Sequence, residues 1–281
     1  MEVAFGATVQ PVGHAVERYF GEIPMLSNDS PQMKVLRLTW ATLDWDKEGE
    51  ARDMSRFLPL PEGDTLSDRE REDLDWVVAR DKRKFACMPM LRDDYPFEVA
   101  PLFTGLLQTP IFGRLWAELG DYFMTASIRG TMNEVERAWL DMGLLPILVN
   151  GWVQAGNIAV AAANGITADD ILAIREGRLD ALHPDGRDMV DLVHQTVEGT
   201  LTAERFREIA EKRGVKWVIE AIGYIVFRYA SAIIDSLMWK IQKIEVGDEL
   251  IEEMFTALRE NKLGAQNMMD KEAFAKGSLQ R

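Results

Sequence analysis

Cysteine and histidine are scarce in this sequence of 281 residues. Cys87 is the single cysteine, which excludes an internal disulfide, a C-x-x-C redox pair and a cysteine-ligated zinc site. The histidines His14, His183 and His194 never pair at a spacing of three or four residues, so the sequence holds no H-E-x-x-H motif. Glycine-rich phosphate-binding motifs and a G-x-S-x-G elbow are also absent from the sequence. We therefore expect neither a metal nor a cofactor.

Basic residues are also fewer than acidic residues. Lysine and arginine number 32 against 46 aspartates and glutamates, which gives a net charge of −14. An acidic surface repels phosphates and anionic lipids, so we expect no nucleic-acid partner and no membrane partner. No run of 18 apolar residues occurs, and the N-terminal segment MEVAFGATVQ does not show a basic stretch followed by an apolar one. These features predict a soluble, cytoplasmic protein that acts on a small-molecule substrate.

Strand-like alternation never persists for more than a few residues, whereas apolar positions recur at helical spacing along most of the chain. The sequence therefore predicts an all-α fold. The proline-rich connector at 57–66 is the best candidate boundary. We expect an N-terminal arm with a short helix (1–55), a helical domain (56–245), and a C-terminal helix with a polar tail (246–281).

Helix-capping residues and prolines indicate where these helices begin and end. Ser67 with Glu70 forms a capping box, Thr167 is a typical N-cap, and Pro146 predicts a break near Leu145. The HPDG segment at 183–186 has the composition of a turn. Besides the helix that Ser67 opens, the predicted helices are 33–45, 112–127, 132–149, 152–164, 168–175, 187–197, 203–212, 217–241 and 248–259.

Four segments in the middle of the chain follow a familiar order: RFLPLP at 56–61, NEVERAWL at 133–140, GWVQAGNIAVAAANGITADDILAIREG at 151–177 and WVIEAIGYIVFRYASAIIDSL at 217–237. This order resembles the carboxymuconolactone decarboxylase and alkylhydroperoxidase-like superfamily over roughly residues 55–240. The most specific piece is ANGITADDI. The resemblance implies a helical bundle with an N-terminal arm and a C-terminal helical extension, assembled as a homo-oligomer, either a trimer or a hexamer.

The reactive residues of that superfamily are missing here, so the chain resembles an atypical member. The motif histidine falls on Asn157, and the two cysteine positions fall on Asn150 and Val153. A peroxidase of this type needs a thiolate and a resolving thiol, whereas the lone Cys87 lies about 70 residues before Asn157. Thiol peroxidase activity is therefore not expected.

Neutral amides take the place of sulfur and imidazole. Asn150, Gln154 and Asn157 stand at i, i+4 and i+7, so they share one face of a helix that is otherwise small and apolar. Buried carboxamides are costly unless they are hydrogen-bonded. They either form a pocket wall that binds a substrate carbonyl or carboxylate, with Trp152 in its lining, or form an amide network between helices. In the first case Asn157 would stabilise an oxyanion.

Proton transfer requires a different group. The upstream glutamate of the superfamily falls on Ala138, but Glu136 lies within one helical turn of that position. A glutamate that faced the bundle interior would have a raised pKa and could act as general acid or base. Complementation of the helix dipole is the alternative role for an acid so near a helix start. His194 is a further candidate for catalysis, or else a hydrogen-bonded core histidine.

One stripe of the long apolar helix is polar: Glu220, Tyr224 and Arg228 stand at i, i+4 and i+8. Arg228 could hold a substrate carboxylate, with Tyr224 lining the same pocket. Alternatively, Arg228 pairs with Glu220 or with a carboxylate elsewhere in the chain.

Two functions remain open at this point. The resemblance implies a cofactor-independent lyase, decarboxylase or isomerase that acts on a small carbonyl, lactone or carboxylate compound through an enolate-like intermediate. The alternative is a non-catalytic binding or scaffold protein that has lost the reactive residues of the superfamily.

Overall fold

The computed structural model describes residues 58–86, 99–148, 151–241 and 248–260. Helices make up 76% of these residues, and no strand occurs among them, which confirms the predicted all-α fold. The ten α-helices in the described ranges are α1 (Asp68–Ala86), α2 (Pro101–Leu106), α3 (Pro110–Met124), α4 (Glu134–Leu144), α5 (Gly151–Ala163), α6 (Ala168–Arg175), α7 (Pro184–Glu198), α8 (Ala203–Arg213), α9 (Val215–Ile241) and α10 (Asp248–Arg259). The predicted arm and the predicted helix at 33–45 lie outside the described residues.

The predicted helix ends largely match the structure. The Glu70 carboxylate accepts hydrogen bonds from the hydroxyl and the backbone N–H of Ser67, at 2.6 and 3.0 Å. Thr167 accepts a bond from the backbone N–H of Asp170 at the start of α6. Helix α4 ends at Leu144, just before the predicted break at Leu145. Side-chain caps satisfy backbone groups that the helix leaves unpaired, which is why these local signals can be detected in the sequence.

The structure corrects the sequence-based prediction at three prolines. The HPDG segment is not a free turn, because Pro184 is the first residue of α7. Pro101 and Pro110 open α2 and α3 in the same way, so α3 begins two residues before the predicted start. The fixed φ of proline suits the first helical position, and its missing N–H has no helical partner there.

The main core surrounds α4, which packs against α5, α7 and α9. Its fully buried side chains include Leu140, Met142 and Leu144 of α4. At Gly143 an added Cβ would lie 2.8 Å from Cβ of Val193 on α7. Only glycine therefore permits this close approach of α4 and α7.

A second apolar cluster joins α1, α2 and α3, and the long helix α9 links it to the main core. On α9, Val215–Met238 has a mean hydropathy of 1.5, long and apolar enough for a membrane span by composition alone. However, 44% of that segment is buried inside the bundle, together with the polar side chains of Glu220 and Asp235. Core helices of bundles have the same composition. Helix α9 thus places polar side chains at the centre of the molecule.

Candidate functional site

Three helices each contribute polar side chains to one buried cluster. Helix α4 supplies Asp141, α5 supplies Asn157, and α9 supplies Tyr224 and Arg228. Tyr224 and Arg228 are four residues apart and therefore project from the same face of α9. Asp141, Asn157 and Tyr224 are buried, whereas the Arg228 side chain keeps 27% of its surface exposed. The cluster thus lies inside the bundle with one edge open to solvent.

Hydrogen bonds connect the four side chains in a single continuous network. The Tyr224 hydroxyl donates to the Asp141 carboxylate, at 2.8 Å to Oδ1 and 2.9 Å to Oδ2. Nε of Arg228 donates to Oδ1 of Asp141 at 2.9 Å, and its Nη2 donates to Oδ1 of Asn157 at 2.7 Å. Charge-assisted bonds of this length are strong and orient both partners. Arg228 therefore fixes the carboxylate and the amide at once.

The amide nitrogen of Asn157 is the unsatisfied member of the cluster. Because Oδ1 of Asn157 accepts from Arg228, the carboxamide is oriented and its Nδ2 points elsewhere. Nδ2 is buried and has no hydrogen-bond partner among the described residues. Leaving such a donor unpaired costs about 1–3 kcal/mol, which makes a bound acceptor favourable. A carbonyl or carboxylate oxygen is the acceptor that suits an amide N–H.

The cluster has a fixed protonation pattern. Burial raises the pKa of Tyr224, and the adjacent Asp141 carboxylate raises it further. Burial alone would lower the pKa of Arg228, but Asp141 outweighs this effect and raises it. At neutral pH Tyr224 is thus a neutral donor and Arg228 a cation. The guanidinium remains charged beside the oriented amide of Asn157.

A second buried charged group lies between α1 and α3. Arg80 donates to Asp81 at 2.5 Å through Nη1 and to Asp121 at 2.9 Å through Nε. Lys84, one turn further along α1, has a pKa lowered by burial and by the charge of Arg80. The Arg228 guanidinium contributes to the same lowering, so the two groups influence each other electrostatically. Within this second group the positive charges of Arg80 and Lys84 are offset by the carboxylates of Asp81 and Asp121.

The structure brings together three of the predicted site residues: Asn157, Tyr224 and Arg228. Gln154 does not join them, because its Nε2 donates to the carbonyl oxygen of Leu148 at the connection between α4 and α5. Asn150 lies outside the described residues. Trp152 lies in α5, but its side chain is outside the described part of the structure.

Glu136 and His194 lie at other contacts. Glu136 forms a capping box with Asn133 and accepts bonds from Nη1 of Arg213 at 2.6 Å and from Nε1 of Trp217 at 3.1 Å. Both carboxylate oxygens of Glu136 are thus engaged at the start of α4. His194 is half-buried, with Nε2 3.1 Å from the carbonyl oxygen of Gly143. These positions match the structural alternatives that the sequence left open.

Asp141 is the functional candidate that sequence reasoning missed. It provides the distant carboxylate that was the alternative partner for Arg228, whereas Glu220 accepts a 2.8 Å bond from Tyr122. A single acid within the apolar stretch AWLDMGLL is a signal in itself, since an isolated buried carboxylate requires a partner.

Comparisons of the chain with protein-family models, curated proteins and solved structures found no match. The described residues also contain no group of three or more His, Cys, Asp or Glu side chains placed to hold a metal ion. Fold and site together define an all-α protein with a buried amide, guanidinium, carboxylate and phenol cluster between three helices.

Proposed function

We propose that the cluster binds a small carbonyl or carboxylate compound, and that the chain is a cofactor-independent lyase, decarboxylase or isomerase acting through an enolate-like intermediate. One observation carries the proposal: the buried Nδ2 donor of Asn157, oriented by Arg228 and without a partner among the described residues. The sequence resemblance to carboxymuconolactone decarboxylases supports the same reaction class. The helical domain is accordingly proposed to be an alkylhydroperoxidase-like bundle.

Stabilisation of an oxyanion is the chemistry that this site supports best. A substrate oxygen that accepts from Nδ2 of Asn157 would be bound by a carboxamide whose other end, Oδ1, is held by the Arg228 guanidinium, which carries a permanent positive charge. Negative charge that develops on that oxygen would then be stabilised by a fixed donor and a nearby cation in a buried setting. Neither group needs to reorganise during the reaction.

Decarboxylation suits the site better than proton abstraction from carbon. Asp141 is held by Tyr224 and Arg228, both of which stabilise its ionised form and make it a weak base. Loss of CO2 from a 3-oxo acid needs no base, since the electrons of the breaking C–C bond move onto the carbonyl oxygen. A proton must then reach carbon, and water at the open edge can supply it.

Substitution of Asn157 by leucine tests the proposal. The wild type and the Asn157→Leu variant would be assayed against a panel of small 3-oxo acids and lactones. Removing one oxyanion donor lowers kcat by about 100- to 1,000-fold, so we expect a loss of that size. Glu136→Gln is the control, and it should retain turnover because Glu136 lies at a helix cap. Equal turnover by the leucine variant would exclude Asn157 from catalysis.

A non-catalytic binding or scaffold role is the second candidate. It is favoured by one observation: both oxygens of Asp141 accept hydrogen bonds, so the cluster contains no free carboxylate. The same panel separates the two functions. Calorimetric binding that depends on Asn157, with no conversion of any bound compound, would favour the binding role.

From the acidic net charge of −14 we propose that the chain has neither nucleic-acid nor membrane partners. We also propose a cytoplasmic location. From the sequence resemblance we propose a homo-oligomer, trimeric or hexameric.

A further inference from the structure

One side of the bundle is apolar and exposed. Helices α3 and α9 form it, with side chains that each keep between 41% and 60% of their surface exposed. We call this surface the α3–α9 face, and it consists of Ile111, Phe112, Leu115, Leu119, Tyr122, Ile219, Val226, Ile233 and Leu237.

The polarity of this face is opposite to that of a solvated helix surface. Every largely exposed residue of α3 belongs to the face, whereas the charged side chains of Arg114 and Glu118 keep only 18% and 29% of their surface exposed. Within 217–238 of α9, the exposed residues are again only Ile219, Val226, Ile233 and Leu237. The exposed residues of α8, by contrast, are mostly charged. Solvent-facing helices normally resemble α8, so the α3–α9 face is suited to burial.

The two helices contribute to a single surface. Trp116 contacts Phe227 with ring centroids 5.3 Å apart, and further along α3 the Tyr122 hydroxyl donates to Glu220. Contacts thus advance along α3 while they move back along α9, so the two helices run antiparallel. On both helices the exposed stripe lies about a quarter-turn from the contact stripe in the same rotational sense. For antiparallel helices this places the two exposed stripes on the same side.

We propose that the α3–α9 face binds a second copy of this chain. Its nine half-exposed side chains present on the order of 900 Å², which matches the roughly 800 Å² that each partner contributes to a standard stable interface. A single patch is sufficient for a two-fold contact, because each copy offers the same surface to the other. Ile219, Val226 and Ile233 recur every seven residues, a spacing that suits packing against another helix.

Charge argues against a lipid surface as the occupant. Membrane-bound faces carry lysine or arginine around the apolar stripe, whereas Lys216 is the one exposed basic residue among the described side chains of α3 and α9. A net charge of −14 also opposes adsorption to anionic lipid. A hollow of about 230 Å³ beside Thr109, Ile111 and Phe112 could instead receive a protruding side chain.

The mass of the full chain in solution tests the proposal. Sedimentation equilibrium and light scattering would be measured between 1 and 100 µM, on the order of the range in which a specific interface is populated. We expect twice or six times the chain mass of 31.8 kDa, because a two-fold contact is compatible with a dimer or a hexamer but not with a trimer. The double variant Leu115→Glu with Ile233→Glu should return the chain to a monomer that keeps its helical circular dichroism, since like charges would then meet in the contact. Val135→Glu, at an exposed apolar position on α4, is the matched control and should leave the mass unchanged.

Three outcomes would overturn the proposal. A monomeric wild type over the whole range would show that no second copy covers the face. An oligomer that survives the double substitution would place the contact elsewhere. Flotation of the monomeric wild type with vesicles of neutral and anionic lipid, lost in the double variant, would identify lipid as the occupant. None of these results depends on the proposed reaction, so the two proposals fail independently.

Discussion

Asp141 is the residue on which the buried cluster depends most. It accepts from both Tyr224 and Arg228, and no other hydrogen-bond acceptor for the Tyr224 hydroxyl occurs among the described contacts. Asp141→Asn would leave the Arg228 charge without its bonded counter-ion inside the bundle. Breaking a buried pair costs about 3–5 kcal/mol, and the partial exposure of Arg228 reduces this to about 2–4 kcal/mol.

Urea unfolding followed by circular dichroism would measure that loss. Asp188→Asn is the control, because Asp188 also bonds an arginine, Arg205, but keeps 40% of its side chain exposed. Exposed pairs contribute about 0–1 kcal/mol, so the control should lose far less. Equal losses in the two variants would contradict the importance assigned to Asp141.

Glu220 gives the stability a defined dependence on pH. Burial would raise the pKa of Glu220, but the nearby hydroxyls of Thr131 and Tyr122 and the charges of Arg129 and Lys216 lower it. Because the folded pKa is lowered, the stabilisation is fully present above the unfolded pKa of about 4.3. It is lost as the pH falls through the folded pKa. The difference in the free energy of unfolding between wild type and Glu220→Gln should therefore be largest at neutral pH and shrink in acid. A difference that grows below pH 4 would contradict this sign.

At the residue scale, the sequence indicates which polar side chains take part in the site better than it indicates their hydrogen-bond partners. Asn157, Tyr224 and Arg228 were identifiable because each interrupts an apolar face, and the structure brings them together. The motif position favours Glu136 as a catalytic group, whereas its capping box is a local pairing with Asn133, three residues away in the sequence. For Asp141 the apolar surroundings in the sequence indicate burial, but they do not identify its partner, because an arginine 87 residues away leaves no spacing signal.

Among the elements, α4 and α7 approach each other closely at Gly143. Gly143→Ala would place a Cβ 2.8 Å from the side chain of Val193 and 3.2 Å from Cα of Val190, so the helices would have to separate. We expect a loss of about 1–3 kcal/mol, as for other overpacked cores. Gly156→Ala on α5 is the matched control. No atom lies within 4 Å of the added Cβ there, so the variant should gain about 0.5–1 kcal/mol from helix propensity.

Denaturant unfolding of both glycine variants checks the expected opposite signs. If both substitutions stabilise, the close approach of α4 and α7 is not a constraint on the fold. If both destabilise, Gly156 meets a neighbour or a ligand that the contacts of the described residues do not include.

Helix ends were predictable where a side chain signals them and less so where a proline does. Ser67 donates to the Glu70 carboxylate, and Thr167 accepts from the backbone N–H of Asp170, so in each case a few residues of sequence contain the whole interaction. Proline opens some helices and ends others, and the same residue type is common in turns. The sequence therefore predicts a turn at Pro184 and a helix that starts after Pro110, although both prolines are first helical residues.

For the whole molecule, α9 connects the two proposals. Its buried side supplies Tyr224 and Arg228 to the cluster, and its exposed side supplies Val226 and Ile233 to the α3–α9 face. Apolar residues at helical spacing predicted a long helix correctly. The same spacing could not separate the side that the bundle covers from the side that it leaves exposed, because both sides consist of similar residues.

If a second copy covers the face, the thermal stability of the chain must depend on its concentration. Association that requires the folded state stabilises it by mass action, by about 1.4 kcal/mol per dimer for each tenfold rise in concentration. For chains of this size we expect the Tm to rise by about 1–2 °C per tenfold increase. Calorimetric scans between 1 and 100 µM would measure this rise, with the Leu115→Glu and Ile233→Glu double variant as the reference.

The double variant should show a lower Tm that does not change with concentration, because it stays monomeric and gains no stability from association. A wild-type Tm that is equally independent of concentration would mean that α9 keeps its apolar side exposed while it positions the site.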